Sequence, residues 1–298
     1  MVGAKHSEMN RKIISLPKEY KRRISIEVNS NQPLFINKLF SLKPDFIGVT
    51  WIGNFEDVIV EDIPPIKMAQ TLISNDFIVL LHIPCRNLSK KSAVEILEVI
   101  KSIGVRNILV LKGQSAFIKE KDDSKVDFPY AGHFVEFVKQ TFDDYFAIGV
   151  AGYPYKHPSS LSIAEDMNYL RDKVSKGADF IVTQASFDES MYETFHERCL
   201  LYSIDIPIFA GSIILKSPEE FHRIRRLCKI TDRCDIKEFV ENEDGNEQIF
   251  GRRKFVELGR KILGNRNFAG IHVFSVNNSM LNNDSLIDVV NELLEVER

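Results

Sequence analysis

Ile24-Ser25-Ile26-Glu27-Val28 alternates apolar with polar side chains at the period of two that an extended strand imposes. Ile24, Ile26 and Val28 share one face, and Ser25 and Glu27 share the other. Seven further short, β-branched apolar runs follow at 46–51, 78–83, 107–112, 146–153, 180–184, 207–214 and 270–276. Helically spaced apolar stretches alternate with them, clearest at 89–103, 162–176, 188–203, 217–228 and 279–294, and several open on Ser or Asp as an N-cap. Eight strands alternating with helices over 298 residues predict an α/β fold, a (β/α)8 TIM barrel in a single domain at 23–298. A doubly wound sheet would have fewer strands and a Gly-rich first turn. In a barrel, the apolar face of the first strand points outward to the helices, which leaves Ser25 and Glu27 facing the interior.

The rest of the composition narrows the function. No apolar run approaches the ~20 residues of a bilayer span, so no membrane is expected. A formal net charge of -3 supplies no long-range attraction for nucleic acid, and a small-molecule partner is expected instead. Neither G-x-G-x-x-G nor G-x-x-x-x-G-K-[ST] occurs, which argues against Rossmann and P-loop nucleotide sites. Cys85, Cys199, Cys228 and Cys234 lie far apart and no secretory leader opens the sequence, so reduced thiols in the cytoplasm are expected. No second Cys or His pair stands at metal-ligand spacing beside Cys228 and Cys234, and no metal is expected. Residues 1–22 are rich in Lys and Arg and read as a solvated basic arm. Long connections at 113–133 and 234–253, the second carrying Glu238, Glu241, Glu243, Asp244 and Glu247, suit a lid, a partner surface or a tolerated insertion equally. A homo-oligomer or a partner subunit is left open.

Barrel chemistry gathers where strands end. Thr50 closes the second run, His82 the third, Lys112-Gly113-Gln114 the fourth, Tyr153 the fifth, Thr183-Gln184 the sixth, Gly211 the seventh and Asn277 the eighth. Hydroxyl, imidazole, amide and phenol groups on one rim suit an extended, hydrogen-bond-rich ligand better than a metal. Glu27 gives the sharpest signal, because desolvation penalises an ionised carboxylate and favours a group that holds its proton near neutrality. Such a group is a general-acid candidate; the competing reading pairs Glu27 with a cation in the mouth, with Lys112 as the partner.

Six motifs extend this reading: S-I-E-V at 25–28, V-T-W at 49–51, N-I-L-V-L-K-G at 107–113, G-V-A-G-Y-P-Y-K-H-P at 149–158, K-V-S-K-G-A-D-F-I-V-T-Q at 173–184 and G-I-H-V-F-S-V-N at 270–277. In this order they resemble the catalytic barrel of methylenetetrahydrofolate reductase, without the C-terminal regulatory domain of typical eukaryotic members. The resemblance implies a non-covalent FAD across the strand ends, reduced by NADH or NADPH, and hydride delivery to 5,10-methylenetetrahydrofolate to give 5-methyltetrahydrofolate. The positions matching flavin contacts are Thr50, His82, Lys112, Gly113, Tyr153, His157, Asp166 and Lys173, with Gln114 beside the flavin N1 region. Those matching folate positions are Glu27, the acid that assists opening of the five-membered ring, then Gln184, Phe221 as a stacking aromatic, and Phe274.

Several positions depart from the family pattern. Gln114 replaces an acid, Tyr155 a Glu, Phe274 a Tyr and Asn278 an Arg that meets the folate tail, while Ala210-Gly211-Ser212 replaces a P-G-I turn. Loss of the charge at Gln114 is expected to ease flavin reduction and slow transfer to folate. The alternatives are a non-catalytic or partner-dependent flavin- or folate-binding subunit, or a flavoenzyme acting on another one-carbon or pterin substrate.

Overall fold

A computed structural model describes residues 11–16, 23–55, 58–113, 122, 125–228, 230–231, 234–239, 251–275, 278 and 284–294. Its frame is eight strands: β1 (Arg23–Val28), β2 (Phe46–Val49), β3 (Val79–Pro84), β4 (Asn107–Leu111), β5 (Ala147–Gly152), β6 (Phe180–Thr183), β7 (Ile208–Ile213) and β8 (Gly270–Phe274). Each pairs in parallel with the next, and β8 returns to β1 with Ser25 opposite His272, which closes the barrel. The TIM barrel expected from the strand count is the fold.

The helices outside it are α1 (Ile36–Leu42), α2 (Pro64–Ser74), α3 (Lys90–Ser102), α4 (Ala131–Phe142), α5 (Ile163–Ser175), α6 (Glu189–Leu201), α7 (Pro218–Cys228), α8 (Arg252–Gly264) and α9 (Asp284–Leu294). Two of them, α7 and α8, lie between β7 and β8, so among the described residues the seventh excursion holds one helix more than simple alternation. Local chemistry sets several starts. Ser89 accepts the Ser92 N–H ahead of α3, Ser162 the Glu165 N–H ahead of α5, and Asp188 the Ser190 N–H ahead of α6. Proline opens α2, where its missing N–H costs nothing.

Two apolar shells follow from the period of two. Ile24, Ile26 and Val28 join the helix-facing core with residues such as Leu72, Ile96, Val138 and Val290. Phe46, Leu80, Leu109, Phe180, Val182 and Phe209 fill the barrel interior below the polar rim. Phe46 and Phe180 meet Phe209 edge-on, with ring centroids 5.1 Å and 5.9 Å away.

The basic N-terminal stretch is not wholly a solvated arm. Ile13 is fully buried and joins the interior shell, so this part of residues 1–22 is a plug rather than a tail. The Ile13 N–H donates to Asn107 Oδ1 at 2.7 Å, and the Arg23 guanidinium donates to the carbonyls of Ile13 and Leu16 at 3.4 Å and 2.6 Å. Asn107 and Arg23 start β4 and β1, so the plug sits at the end of the barrel opposite the strand-end rim. No described helix is long and apolar enough to cross a membrane.

Candidate active site

At the strand-end mouth lies a cavity of about 1410 Å³. Its floor is built around Glu27, whose side chain keeps 12% of its surface exposed and points inward from β1 as the alternation predicts. His82 of β3 and His272 of β8 flank it: Glu27 Oε2 lies 4.0 Å from His82 Nδ1 and 3.9 Å from His272 Nε2. Lys112 is not the partner; its ammonium sits 4.6 Å above the Tyr130 ring. Burial pushes the Glu27 carboxyl up to about 7, against the opposing pull of His82 and a backbone hydrogen bond from Ser275. The same burial drives His82 down to about 4 and His272 down to about 3, so both rings are neutral at physiological pH. Among the described residues neither ring's Nε2 has a hydrogen-bond partner. Gly48 of β2 makes room for them, since a Cβ there would lie 2.8 Å from His272 Cε1 and 3.3 Å from His82 Nε2.

One donor atom from each of Glu27, His82 and His272 falls within 4.8 Å of the others, a spacing that a metal ion also uses. Neutral imidazoles facing a carboxyl group near 7 serve equally well to hold a proton in place, and the rest of the cavity is lined by aromatic, hydroxyl, amide and basic side chains.

On the β4 to β6 side the cavity turns basic. Lys173 of α5 reaches in to donate to the Ala151 carbonyl at 2.7 Å, and burial lowers its ammonium to about 8. His157 is held below its ordinary value first by burial and then by Lys173, Lys112 and Lys156, against the attraction of Asp166. Asp166 accepts the His157 backbone N–H at 3.1 Å and the Ser160 hydroxyl at 3.3 Å. Tyr153 meets the His157 ring edge-on at 4.6 Å, and burial raises its phenol to about 12. Three lysines around one imidazole repel one another, and a polyanion between them would relieve that repulsion. Gly113, with φ of +106°, turns the chain at the end of β4 in a conformation that favours glycine.

Glu27, Thr50, His82, Lys112, Gly113, Tyr153, His157, Asp166, Lys173, Gln184 and Phe274 all line this one cavity. Gln184 accepts the Ala185 N–H through Oε1 at 3.0 Å, and Phe274 stands edge-on to His272 at 5.1 Å. Phe221 departs from its expected place. It is 2% exposed and packs against Phe187 and Phe239 at 5.5 Å and 4.9 Å, in an apolar cluster behind the cavity wall. The same helix instead offers Ile224, Leu227 and Cys228 to the cavity. Asn278 is also turned away from substrate space: its Oδ1 accepts the Asn29 N–H at 2.7 Å, and its Nδ2 donates to the carbonyls of Asn29 and Pro33 at 2.9 Å and 3.0 Å. Tyr155 is tied by its hydroxyl to Ser186. Gln114, Asn277 and the acidic residues 241–247 lie outside the described residues.

The family model for methylenetetrahydrofolate reductase matches residues 27–288, from the floor acid to the last helix. The chain belongs to this family. A probable methylenetetrahydrofolate reductase (NADPH) of Caenorhabditis elegans is 30% identical over 201 residues, covering 66% of this chain and 30% of that one. Methylenetetrahydrofolate reductase (NADH) 1 of Arabidopsis thaliana is 28% identical over 257 residues, covering 81% of this chain and 42% of that one. The chain thus spans less than half the length of these eukaryotic relatives. The 5,10-methylenetetrahydrofolate reductase of Pectobacterium carotovorum subsp. carotovorum is closer in size, 27% identical with 83% of this chain and 80% of that one covered. A Clostridium thermocellum protein described as binding two copies of 5-methyl-5,6,7,8-tetrahydrofolic acid shares the fold at a TM-score of 0.56 and 12% identity, covering 95% of this chain and all of that one. The resemblance carried by the six motifs is borne out.

His272, 3.9 Å from Glu27 Oε2, is the neighbour of the floor acid that the sequence reading did not single out. Its signal was present, because 270–274 alternates like 24–28 and places His272 on the inward face, but a lone His between apolar neighbours reads first as core. Tyr130 and Tyr169, stacked at 6.2 Å on the cavity wall, come from a long connection and a helix face where sequence period gives no direction.

Proposed function

We propose that this chain reduces 5,10-methylenetetrahydrofolate to 5-methyltetrahydrofolate with FAD and NADH or NADPH. The observation that carries the reading is a carboxyl group near 7, set between two neutral imidazoles on the floor of a large cavity. FAD when bound accepts hydride from the nicotinamide nucleotide and delivers it to the one-carbon unit. The basic side, with Lys112, His157 and Lys173, suits its pyrophosphate, and Thr50, His82, Gly113 and Tyr153 suit its ring and ribityl chain. Asp166 orients the His157 loop through the backbone N–H.

The chain's own part in the chemistry is the proton. Glu27, protonated in a substantial fraction at pH 7, gives its proton to the leaving ring nitrogen of the substrate; the carbon–nitrogen bond breaks, and the methylene carbon is left as an iminium on the other nitrogen, ready to take hydride. Gln184 is placed to hydrogen-bond the pterin, and Phe274 to flank it. Residues 23–298 act as one catalytic domain, and the free cysteines suit a cytosolic setting. The test is anaerobic: reduce the flavin-loaded protein with NADH or NADPH, add methylenetetrahydrofolate, and follow the flavin absorbance. Return of the oxidised spectrum with formation of 5-methyltetrahydrofolate supports the reading, and bleaching without recovery refutes it.

A further inference from the structure

Ser25 lies two residues before Glu27 on the same inward face and directly across the closing β1–β8 seam from His272. It is fully buried, as is His272. Its Oγ lies 3.1 Å from the Ile271 carbonyl and 2.8 Å from His272 Nδ1. A hydroxyl has one hydrogen, and a carbonyl only accepts. If both contacts are hydrogen bonds, the one to Ile271 uses the Ser25 hydrogen and the one to Nδ1 is donated by the ring. A neutral imidazole with its hydrogen on Nδ1 has a bare lone pair on Nε2. That Nε2 faces Glu27 Oε2 at 3.9 Å and has no hydrogen-bond partner among the described residues.

We propose that Ser25 and His272 are positioning residues for the acid: Ser25 fixes the His272 tautomer so that an acceptor, never a donor, faces the Glu27 carboxyl group. A protonated carboxyl group then has a lone pair toward which to turn its hydrogen, whereas an ionised one meets another lone pair. Closing the 3.9 Å gap by about 1 Å, or bridging it with one water, completes the hydrogen bond. The opposite wiring, with the Ser25 hydrogen on Nδ1 and the ring hydrogen on Nε2, would favour the carboxylate and remove the Ser25 hydrogen from Ile271. Among the described residues, the titratable groups facing Glu27 are His82 from β3, His272 from β8 and Cys228 at the end of α7. His82 and Cys228 are unaffected by the Ser25 wiring, so a substitution at Ser25 isolates His272.

This role rests on the proposed general-acid function of Glu27, but its test does not need turnover. In ¹⁵N-histidine-labelled protein, long-range ¹H–¹⁵N correlation should show His272 with its hydrogen on Nδ1, the assignment being made by loss of the signal in His272→Gln. Ser25→Ala removes the hydroxyl with little change in volume. It should populate the Nε2–H tautomer and lower the Glu27 titration, read from the ¹³C carboxyl resonance, by about one pH unit. A wild-type His272 bearing its hydrogen on Nε2 overturns the proposal, as does a Glu27 titration unmoved in Ser25→Ala. If the spectra agree while the wild type fails to reduce the folate, the assigned reaction falls and the wiring stands.

Discussion

Replacing Glu27 with Gln should make the protein more stable while disabling it, and the pH dependence of that gain is fixed by the site. The Glu27 carboxyl sits at about 7 against an ordinary 4.5. Because the folded-state value is raised, the stability associated with the protonated group is fully present below 4.5 and is lost as pH rises through 7. At about 1.4 kcal/mol for each tenfold change in proton affinity, the gap corresponds to about 3 kcal/mol above neutrality. Gln imitates the protonated acid at every pH. Urea unfolding of wild type and Glu27→Gln across pH 4 to 9 should therefore give curves that agree near pH 4 and diverge from there, reaching a constant gain of about 2–3 kcal/mol for the variant above neutrality. The lower figure allows for the amide's incomplete hydrogen bonding in a pocket shaped for a carboxyl group. A variant no more stable than wild type at pH 8, or a difference that does not change with pH, would refute the burial argument.

Three further substitutions probe other parts of the structure. Ile13→Ala should cost about 2–4 kcal/mol in urea unfolding, because the side chain plugs the barrel interior; a change below 0.5 kcal/mol would return this segment to the status of an arm. Asn278→Ala should cost about 2 kcal/mol by leaving the Asn29 N–H without its acceptor, while folate KM changes less than about twofold; a large KM effect with unchanged stability would make Asn278 a substrate contact instead. Lys173→Met should weaken FAD retention at least about tenfold, measured by equilibrium dialysis with flavin fluorescence, and unchanged retention would move the pyrophosphate elsewhere.

The β1 stretch was the most legible part of the chain, since one alternating pentapeptide fixed both the helix-facing and cavity-facing sides and set Glu27 on the floor. The strand ends were legible for the same reason: parallel strands in a closed barrel all terminate on one rim, so Thr50, His82, Lys112, Tyr153 and Gln184 meet in one cavity although they are far apart in sequence. What escaped the sequence depends on distant partners. Ile13 looks like part of a short, aperiodic apolar run with Ile14 and Leu16 in a basic stretch until the barrel supplies an open end for it to fill. Phe221 and Leu227 lie on one short helix, and Phe187 and Phe239, which decide that Phe221 turns inward, come from other connections. Asn278 matches an Arg in a family pattern, yet the loop after β1 holds its side chain by four hydrogen bonds. Counting strands predicted the barrel; it did not show that α7 and α8 share one excursion.

The general-acid role requires Glu27 to keep its proton at neutral pH beneath the cavity. Titrating its carboxyl group directly, by ¹³C resonance or infrared difference spectroscopy with Glu27→Gln as the blank, should place the midpoint near 7. A midpoint near the ordinary 4.5 would leave a carboxylate with no proton to give at neutral pH, and the general-acid role would fail with it.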